Sequence, residues 1–313
     1  MVGAAAEPRT MNVLLHYRAS SGFRAMLEAA RPPQMNLRIV DAAEDASFED
    51  IDAILHVLRP ITAGDVESAP RLKLIQKIGV GVNTIALDAA RARGVAVCNM
   101  PGTNAQAVAE LALMLMLAAL RRTAYFDPLT RRGDGWRPDA DAFDRLGEIG
   151  GKVVGLVGYG AIPQRLAPAL KALGAEVIYT SRTGGVPLAE LLARADIVSL
   201  HCPVTSETLG IVSRAALMRM KPGAVLVNTA RGELIDEAAL FEALKSGHLR
   251  AAGLDVFQRE PAPAETPLFA LTNVVVTPHI GWLTPETLSR SIGVGFENIR
   301  RVASGEALLH RIV

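Results

Sequence analysis

Short runs of apolar, often β-branched residues recur along this chain, and between them lie stretches whose apolar residues fall at helical spacing. In the first third, residues 12–17, 38–40, 53–58, 72–78 and 95–98 read as strands, with helices predicted over 20–30 and 87–93. The second half repeats the pattern, with strands at 153–157, 177–179, 197–200, 224–228, 252–256 and 274–277. Helices are predicted there over 164–173, 188–193, 213–220, 236–246 and 284–303, the last capped by Thr284 with Pro285 in its first turn. Such alternation predicts an α/β protein built on parallel sheets. Residues 105–121 are apolar on nearly every face, so that helix should be buried on nearly every face, in a position that suits a junction between domains. Pro128, Gly133, Gly135 and Pro138 then break the pattern, and 123–150 is predicted to be a surface arm or loop. Trp136 within it either packs locally or makes a subunit contact.

The segment 152–182 reads as strand, glycine turn, helix and second strand. In that context Gly158 and Gly160 would let backbone N–H groups approach a pyrophosphate, with the helix N-terminus at Ala161 and Ile162 adding its dipole. Pro163 stands where a dinucleotide fingerprint has its third glycine. It lies in the first helical turn, where a missing N–H has no intrahelical partner to lose, but it puts close helix-to-sheet approach in doubt. At the end of the second strand, where an acidic residue would bind the ribose hydroxyl of NAD, the chain has Ser181, Arg182 and Thr183. An arginine among hydroxyls suits a 2′-phosphate, so NADP(H) is the preferred cofactor. The alternative is a solvated Arg182 with NAD(H) accepted.

Composition narrows the classes. The chain has 313 residues, enough for two domains, and a net charge of +1, which gives no footing for nucleic acid or an acidic membrane. Its two cysteines lie in apolar strand contexts, which argues against a disulfide framework and for the reducing cytoplasm. The first ten residues lack a sustained apolar run and read as a frayed leader rather than a signal peptide. The longest apolar run, 111–120, is too short to span a bilayer. No His/Cys cluster suggests a metal.

Three strand ends of the second half present Arg231, Glu260 and His279. Parallel strands place their carboxyl ends on one edge, which is also where the Gly158 turn would hold a dinucleotide. Reduction of a 2-oxo acid needs a cation for the carboxylate, an acid for the forming alkoxide and a group that tunes the acid. Arginine, histidine and glutamate suit these roles in that order. Singly, each is as well explained as a surface cation, a structural imidazole or a solvated carboxylate. A glycine-containing strand end at 79–83 could likewise bring backbone close to a ligand, or be a simple turn.

The motifs IGVGVNTI (78–85), AVAELALMLML (107–117), GLVGYGAI (155–162), LVNTARGELIDEAAL (226–240), GLDVFQREP (253–261) and TPHIGW (277–282) together resemble the D-isomer-specific 2-hydroxyacid dehydrogenases. The resemblance implies a Rossmann-type coenzyme domain, 100–283, inserted into a flavodoxin-like substrate domain, 1–99 with 284–313. It implies that Arg231, Glu260 and His279 are catalytic and that the Val80-Gly81 backbone grips the substrate carboxylate. Thr229, Asp255 and Gly281 match positions at the nicotinamide end, and Trp282 would line the substrate site or simply pack. It further implies a small 2-oxo or 2-hydroxy acid as substrate and a homodimer through the coenzyme domain. The related formate dehydrogenases carry glutamine where Glu260 stands, which argues against that activity. The YTSRT segment (179–183) is similar to that of glyoxylate/hydroxypyruvate reductases, which tolerate or prefer NADP, whereas Asn83 replaces a commonly acidic residue. Corepressors resembling the same family keep a non-enzymatic dinucleotide sensor as the alternative.

Overall fold

A computed structural model describes residues 10–40 and 47–313. The leader read at the N-terminus lies, but for Thr10, outside the described residues. The chain divides into two compact units, Met1–Asn104 with Leu283–Val313, and Ala105–Trp282. Each is an α/β unit on a twisted parallel sheet, as the alternation of elements predicts.

The first unit contains β1 (Met11–His16), α1 (Ser21–Ala30), β2 (Met35–Ile39), β3 (Ala53–His56), α2 (Ala63–Glu67), β4 (Leu74–Lys77), α3 (Leu87–Ala92), β5 (Ala96–Cys98) and the C-terminal α10 (Pro285–Ser304). Its strands are all parallel, in the order β2-β1-β3-β4-β5, which is the flavodoxin-like arrangement. Alternation along the strands sorts the two faces. Leu14, Ile54, Ile75 and Val97 pack with Val66 of α2 and Ala90 of α3. On the other face α10 comes so close that a Cβ on Gly295 would stand 3.2 Å from Leu55 Cδ2. Helix α10 starts where its sequence requires, with the Thr284 hydroxyl accepting from Thr287 N–H. Helix α2 has too few residues for periodicity to reveal, but its Thr62–Asp65 capping box was present in the sequence as a signal.

The carboxyl edge of this sheet buries a row of titratable groups in register, His16 beside His56 and His56 beside Lys77. The His56 Nε2–H donates to the Arg59 carbonyl at 2.7 Å. Burial, helped by the Lys77 charge, pushes the His56 pKa down to about 3. The unfolded chain takes up this proton near the ordinary value of 6.5, whereas the folded one stays neutral down to about 3. Stability is therefore lost as pH falls between those two values, at about 1.4 kcal/mol per pH unit. Urea unfolding near pH 5 is expected to show about 2 kcal/mol less stability from this residue than near pH 7. His56→Gln should make the pH dependence shallower without abolishing it, since His201 contributes in the same direction, and parallel slopes in variant and wild type would contradict it.

The second unit runs through α4 (Ala105–Leu120), α5 (Thr123–Arg131), β6 (Val153–Val157), α6 (Ala161–Ala172), β7 (Glu176–Ser181), β8 (Gly184–Gly185), α7 (Leu188–Arg194), β9 (Ile197–Leu200), α8 (Arg214–Arg219), β10 (Ala224–Asn228), α9 (Glu237–Lys245), β11 (Leu249–Leu254) and β12 (Val274–Val276). Its sheet has the order β12-β11-β10-β9-β6-β7-β8, parallel except for the short β7–β8 hairpin. Helices α4 and α6 cover Val154, Leu156, Ile197, Val225 and Val227, while α7, α8 and α9 cover Val157, Val198, Leu200, Leu226 and Leu254. Gly155 permits the second packing, since a Cβ there would sit 2.5 Å from Leu191 Cδ2.

Two expectations need correction. The predicted arm 123–150 includes helix α5, which contains Pro128 yet forms because Arg131 pairs with Asp127 one turn back and Arg122 lies over the Tyr125 ring. Helix α4 is not buried on nearly every face, because Met114 and Leu117 stay 40% and 38% exposed. An apolar pattern does not say whether the chain itself supplies the covering surface.

Candidate active site

Strand β6 lies mid-sheet, with β7 on one side and β9 on the other, so the chain order reverses between the carboxyl ends of β6 and β9. At such a switch point an open parallel sheet leaves a crevice for a ligand. Gly158 lies there with φ +96°, and a Cβ on it would stand 2.8 Å from the His201 carbonyl carbon. No other residue fits this turn. Gly160 is the N-cap of α6 and faces open space, leaving the first N–H groups of the helix, at Ala161 and Ile162, without intrahelical acceptors. Pro163 is the third residue of the helix and is buried, so it costs α6 no hydrogen bond. His201 bonds Ser199 Oγ at 2.9 Å, and burial pushes its pKa down to about 3, so it is a neutral structural imidazole.

The β7–β8 hairpin fixes the end of the second strand. Ser181 Oγ accepts from Thr183 N–H and donates to the Gly184 carbonyl, while Arg182 and Thr183 are exposed at the tip. Ser181 is thus occupied in holding the turn, whereas the Arg182 side chain makes no hydrogen bond among the described residues.

The three chemical candidates converge. His279 Nδ1 lies 2.6 Å from Glu260 Oε2, so Nδ1–H donates to the carboxylate, and Nε2 makes no hydrogen bond among the described residues. Glu260 Oε1 accepts from Phe257 N–H at 3.0 Å. Burial pushes the Glu260 carboxyl up, but the His279 and Phe257 hydrogen bonds and the His279 and Arg231 charges outweigh it and hold Glu260 below the usual range. Arg231 acts on that carboxylate through its charge alone, while its own Nη1 donates to the Ala230 carbonyl at 2.6 Å. Arg231 sits on a turn tied by Asn228, whose Nδ2 donates to the Arg231 carbonyl and whose Oδ1 accepts from Ala230 N–H. Gly232 follows because a Cβ would stand 1.9 Å from the Phe257 carbonyl carbon.

His279 has φ +55°, a conformation that costs a non-glycine residue energy and needs support. Asp255 supplies it. Its Oδ1 accepts from Thr277 Oγ1 at 2.6 Å and Ile280 N–H at 2.9 Å, its Oδ2 from Gly281 N–H at 2.9 Å, and its carbonyl from His279 N–H at 2.7 Å. Burial raises the Asp255 pKa despite these donors. Asp255 and Gly281, matched by resemblance to the nicotinamide end, are thus engaged in shaping the histidine turn, with a Cβ on Gly281 only 3.0 Å from Asp255 Oδ2. Trp282 is 8% exposed and packed.

The residues fit a dinucleotide. Thr229, at the carboxyl end of β10, is buried with its hydroxyl unpartnered, and it faces the edge that carries the Gly158 turn. An orphaned hydroxyl there suits a ligand amide or hydroxyl. Sequence reasoning missed Asn228 and the bracing role of Asp255. Asparagine immediately before a turn was the available signal for the first.

Val80 and Gly81 belong to the first unit and follow β4, with Val80 47% exposed. Among the described residues no group of three or more His, Cys, Asp or Glu side chains could hold a metal, and no helix is long and apolar enough to cross a membrane.

A glycine turn at a switch point and a histidine–carboxylate–arginine set on one sheet edge define a dinucleotide-binding α/β protein. Residues 113–281 match the D-isomer specific 2-hydroxyacid dehydrogenase NAD binding domain, and the chain belongs to that family. It is 42% identical over 296 residues to a D-3-phosphoglycerate dehydrogenase of Mycobacterium leprae, covering 89% of this chain but 55% of that protein. The chain thus spans about half the length of that relative. It is 37% identical to a glyoxylate reductase of Korarchaeum cryptofilum, covering 82% of this chain and 81% of the other. The solved TT0316 protein of Thermus thermophilus superposes with a TM-score of 0.85 at 36% identity, over 97% of this chain and all (100%) of the other.

Proposed function

We propose that the protein reduces a small 2-oxo acid, of the glyoxylate or hydroxypyruvate kind, to the D-2-hydroxy acid. The observation that carries this is the His279–Glu260 hydrogen bond, on the sheet edge to which the Arg231 turn also belongs. When bound, the reduced nicotinamide supplies the hydride that reaches C2. Arg231 holds the substrate carboxylate, and the Nε2–H of protonated His279 gives its proton to the carbonyl oxygen as the alkoxide forms. Glu260 holds the ring in place through the Nδ1–H hydrogen bond. Asp255 holds the turn that aims it. The amides of Val80 and Gly81 are further carboxylate donors in this proposal, as the family resemblance implies, with Trp282 beside the substrate.

The dinucleotide is held by the Gly158–Gly160 turn, the amides of Ala161 and Ile162, and Thr229. NADP(H) is the preferred form, on the strength of an exposed Arg182 at the hairpin tip and no carboxylate beside it. Arg182→Ala is expected to lower kcat/KM for NADPH by about 10- to 100-fold and leave that for NADH within about threefold, as a charge-assisted phosphate contact would. Equal effects on both coenzymes would remove the assignment.

The exposed Met114, Leu117, Trp136 and Phe143 of the coenzyme unit support a homodimer through that unit. Sedimentation velocity returning a monomer at working concentration would remove this proposal. The assay that tests the activity pairs glyoxylate, hydroxypyruvate, pyruvate and phenylpyruvate with each reduced coenzyme, and 3-phosphoglycerate with each oxidised one. The last arm follows from the D-3-phosphoglycerate dehydrogenase relatives.

A further inference from the structure

The loop after β4 is pinned on its carbonyl side only. Met100 N–H donates to the Gly79 carbonyl at 2.8 Å, and the Asn99 side-chain amide donates to the Val80 carbonyl at 2.9 Å. In a trans peptide the N–H points opposite to its C=O. Fixing the carbonyls of Gly79 and Val80 therefore turns the N–H groups of Val80 and Gly81 the other way, and among the described residues neither has a hydrogen-bond acceptor. Gly79, at φ +127°, makes the bend that allows this.

Asn99 is itself buried, 9% exposed, and braced from behind. Gln76 Nε2 donates to the Lys77 and Cys98 carbonyls at 3.1 and 3.3 Å, and Gln76 Oε1 accepts from Asn298 Nδ2 of α10 at 2.6 Å. Asn298 Oδ1 in turn accepts from Leu309 N–H at 2.8 Å. A buried amide chain of this kind holds one arrangement, because leaving any member unpaired is costly.

We propose that Asn99 is a positioning residue that orients the Gly81 amide, beside the Val80 amide turned by Met100, into a paired donor site for the substrate carboxylate. This rests on the reading that those amides bind the carboxylate. Asn99 touches no reacting atom. Its effect runs through one peptide plane, so it belongs to substrate binding and not to the chemical step.

The test uses the full chain with saturating coenzyme. Asn99→Asp keeps the shape but sets an oxygen against the Val80 carbonyl, and Asn99→Ala removes the donor without adding a buried charge, should the first variant fail to fold. The expected result is a KM for the 2-oxo acid raised by about tenfold, with kcat changed by less than about threefold and coenzyme affinity unchanged. Amide ¹H–¹⁵N spectra titrated with oxamate, a carboxylate that is not reduced, supply the second readout. In the wild type the Val80 and Gly81 resonances should move, and in the variants they should move only at higher oxamate concentration. Equal response in variant and wild type, with KM unchanged, overturns the role of Asn99 and leaves the loop reading standing. No response of either amide in the wild type overturns the loop reading and the proposal with it.

Discussion

His279→Ala is expected to lower kcat for 2-oxo acid reduction by about 10²- to 10⁴-fold, the span that a positioned general acid supplies. Coenzyme affinity should be unchanged within about twofold, because the ring is aimed by Glu260 and Asp255 and makes no part of the Gly158 turn. A loss that appeared equally in coenzyme binding would mean that the Thr277–Gly281 turn had collapsed, and unfolding curves would reveal it. Glu260→Gln separates tuning from chemistry. It removes the negative charge while leaving an acceptor for Nδ1–H. Activity should survive in part, with kcat lowered less than in His279→Ala and coenzyme affinity unchanged. An unchanged kcat would remove Glu260 from the mechanism.

Arg231→Ala is expected to lower kcat/KM by about 10²-fold, the worth of a charge-assisted, two-pronged carboxylate contact. Arg231→Lys should recover only a small part, since an ammonium cannot bind a carboxylate bidentately. The turn itself should persist in both variants, because Asn228 grips it through the backbone of Ala230 and Arg231 and not through the guanidinium. Steady-state kinetics with a monocarboxylic 2-oxo acid measure this, and a Lys variant with wild-type kcat/KM would contradict bidentate binding.

The two sheets and the positions of Arg231, Glu260 and His279 at strand ends were legible because buried parallel strands are short apolar runs and their carboxyl ends fall where the runs stop. The start of α6 survives Pro163 for the reason its position gives, the third residue of the helix having no hydrogen bond to lose. What was not legible depends on contacts remote in sequence. Asp255 bonds the turn 22 to 26 residues on, and no periodicity announces such a brace. Ser181 looked like a phosphate ligand, yet the hairpin uses its hydroxyl, and only the Gly184-Gly185 pair hinted at the fold-back. The exposed apolar side chains of α4 show the same limit, since an apolar pattern specifies burial without naming the partner.

The most direct measurement follows deuterium from the C4 position of the reduced nicotinamide, labelled on either face, into product formed from the 2-oxo acid panel. Chiral chromatography with mass spectrometry would identify the product. The account predicts a D-2-hydroxy acid carrying one deuterium at C2 for at least one acid, and none with His279→Ala. Tight coenzyme binding with no deuterium transferred to any acid by the wild type would contradict it and leave a dinucleotide-binding protein without this activity.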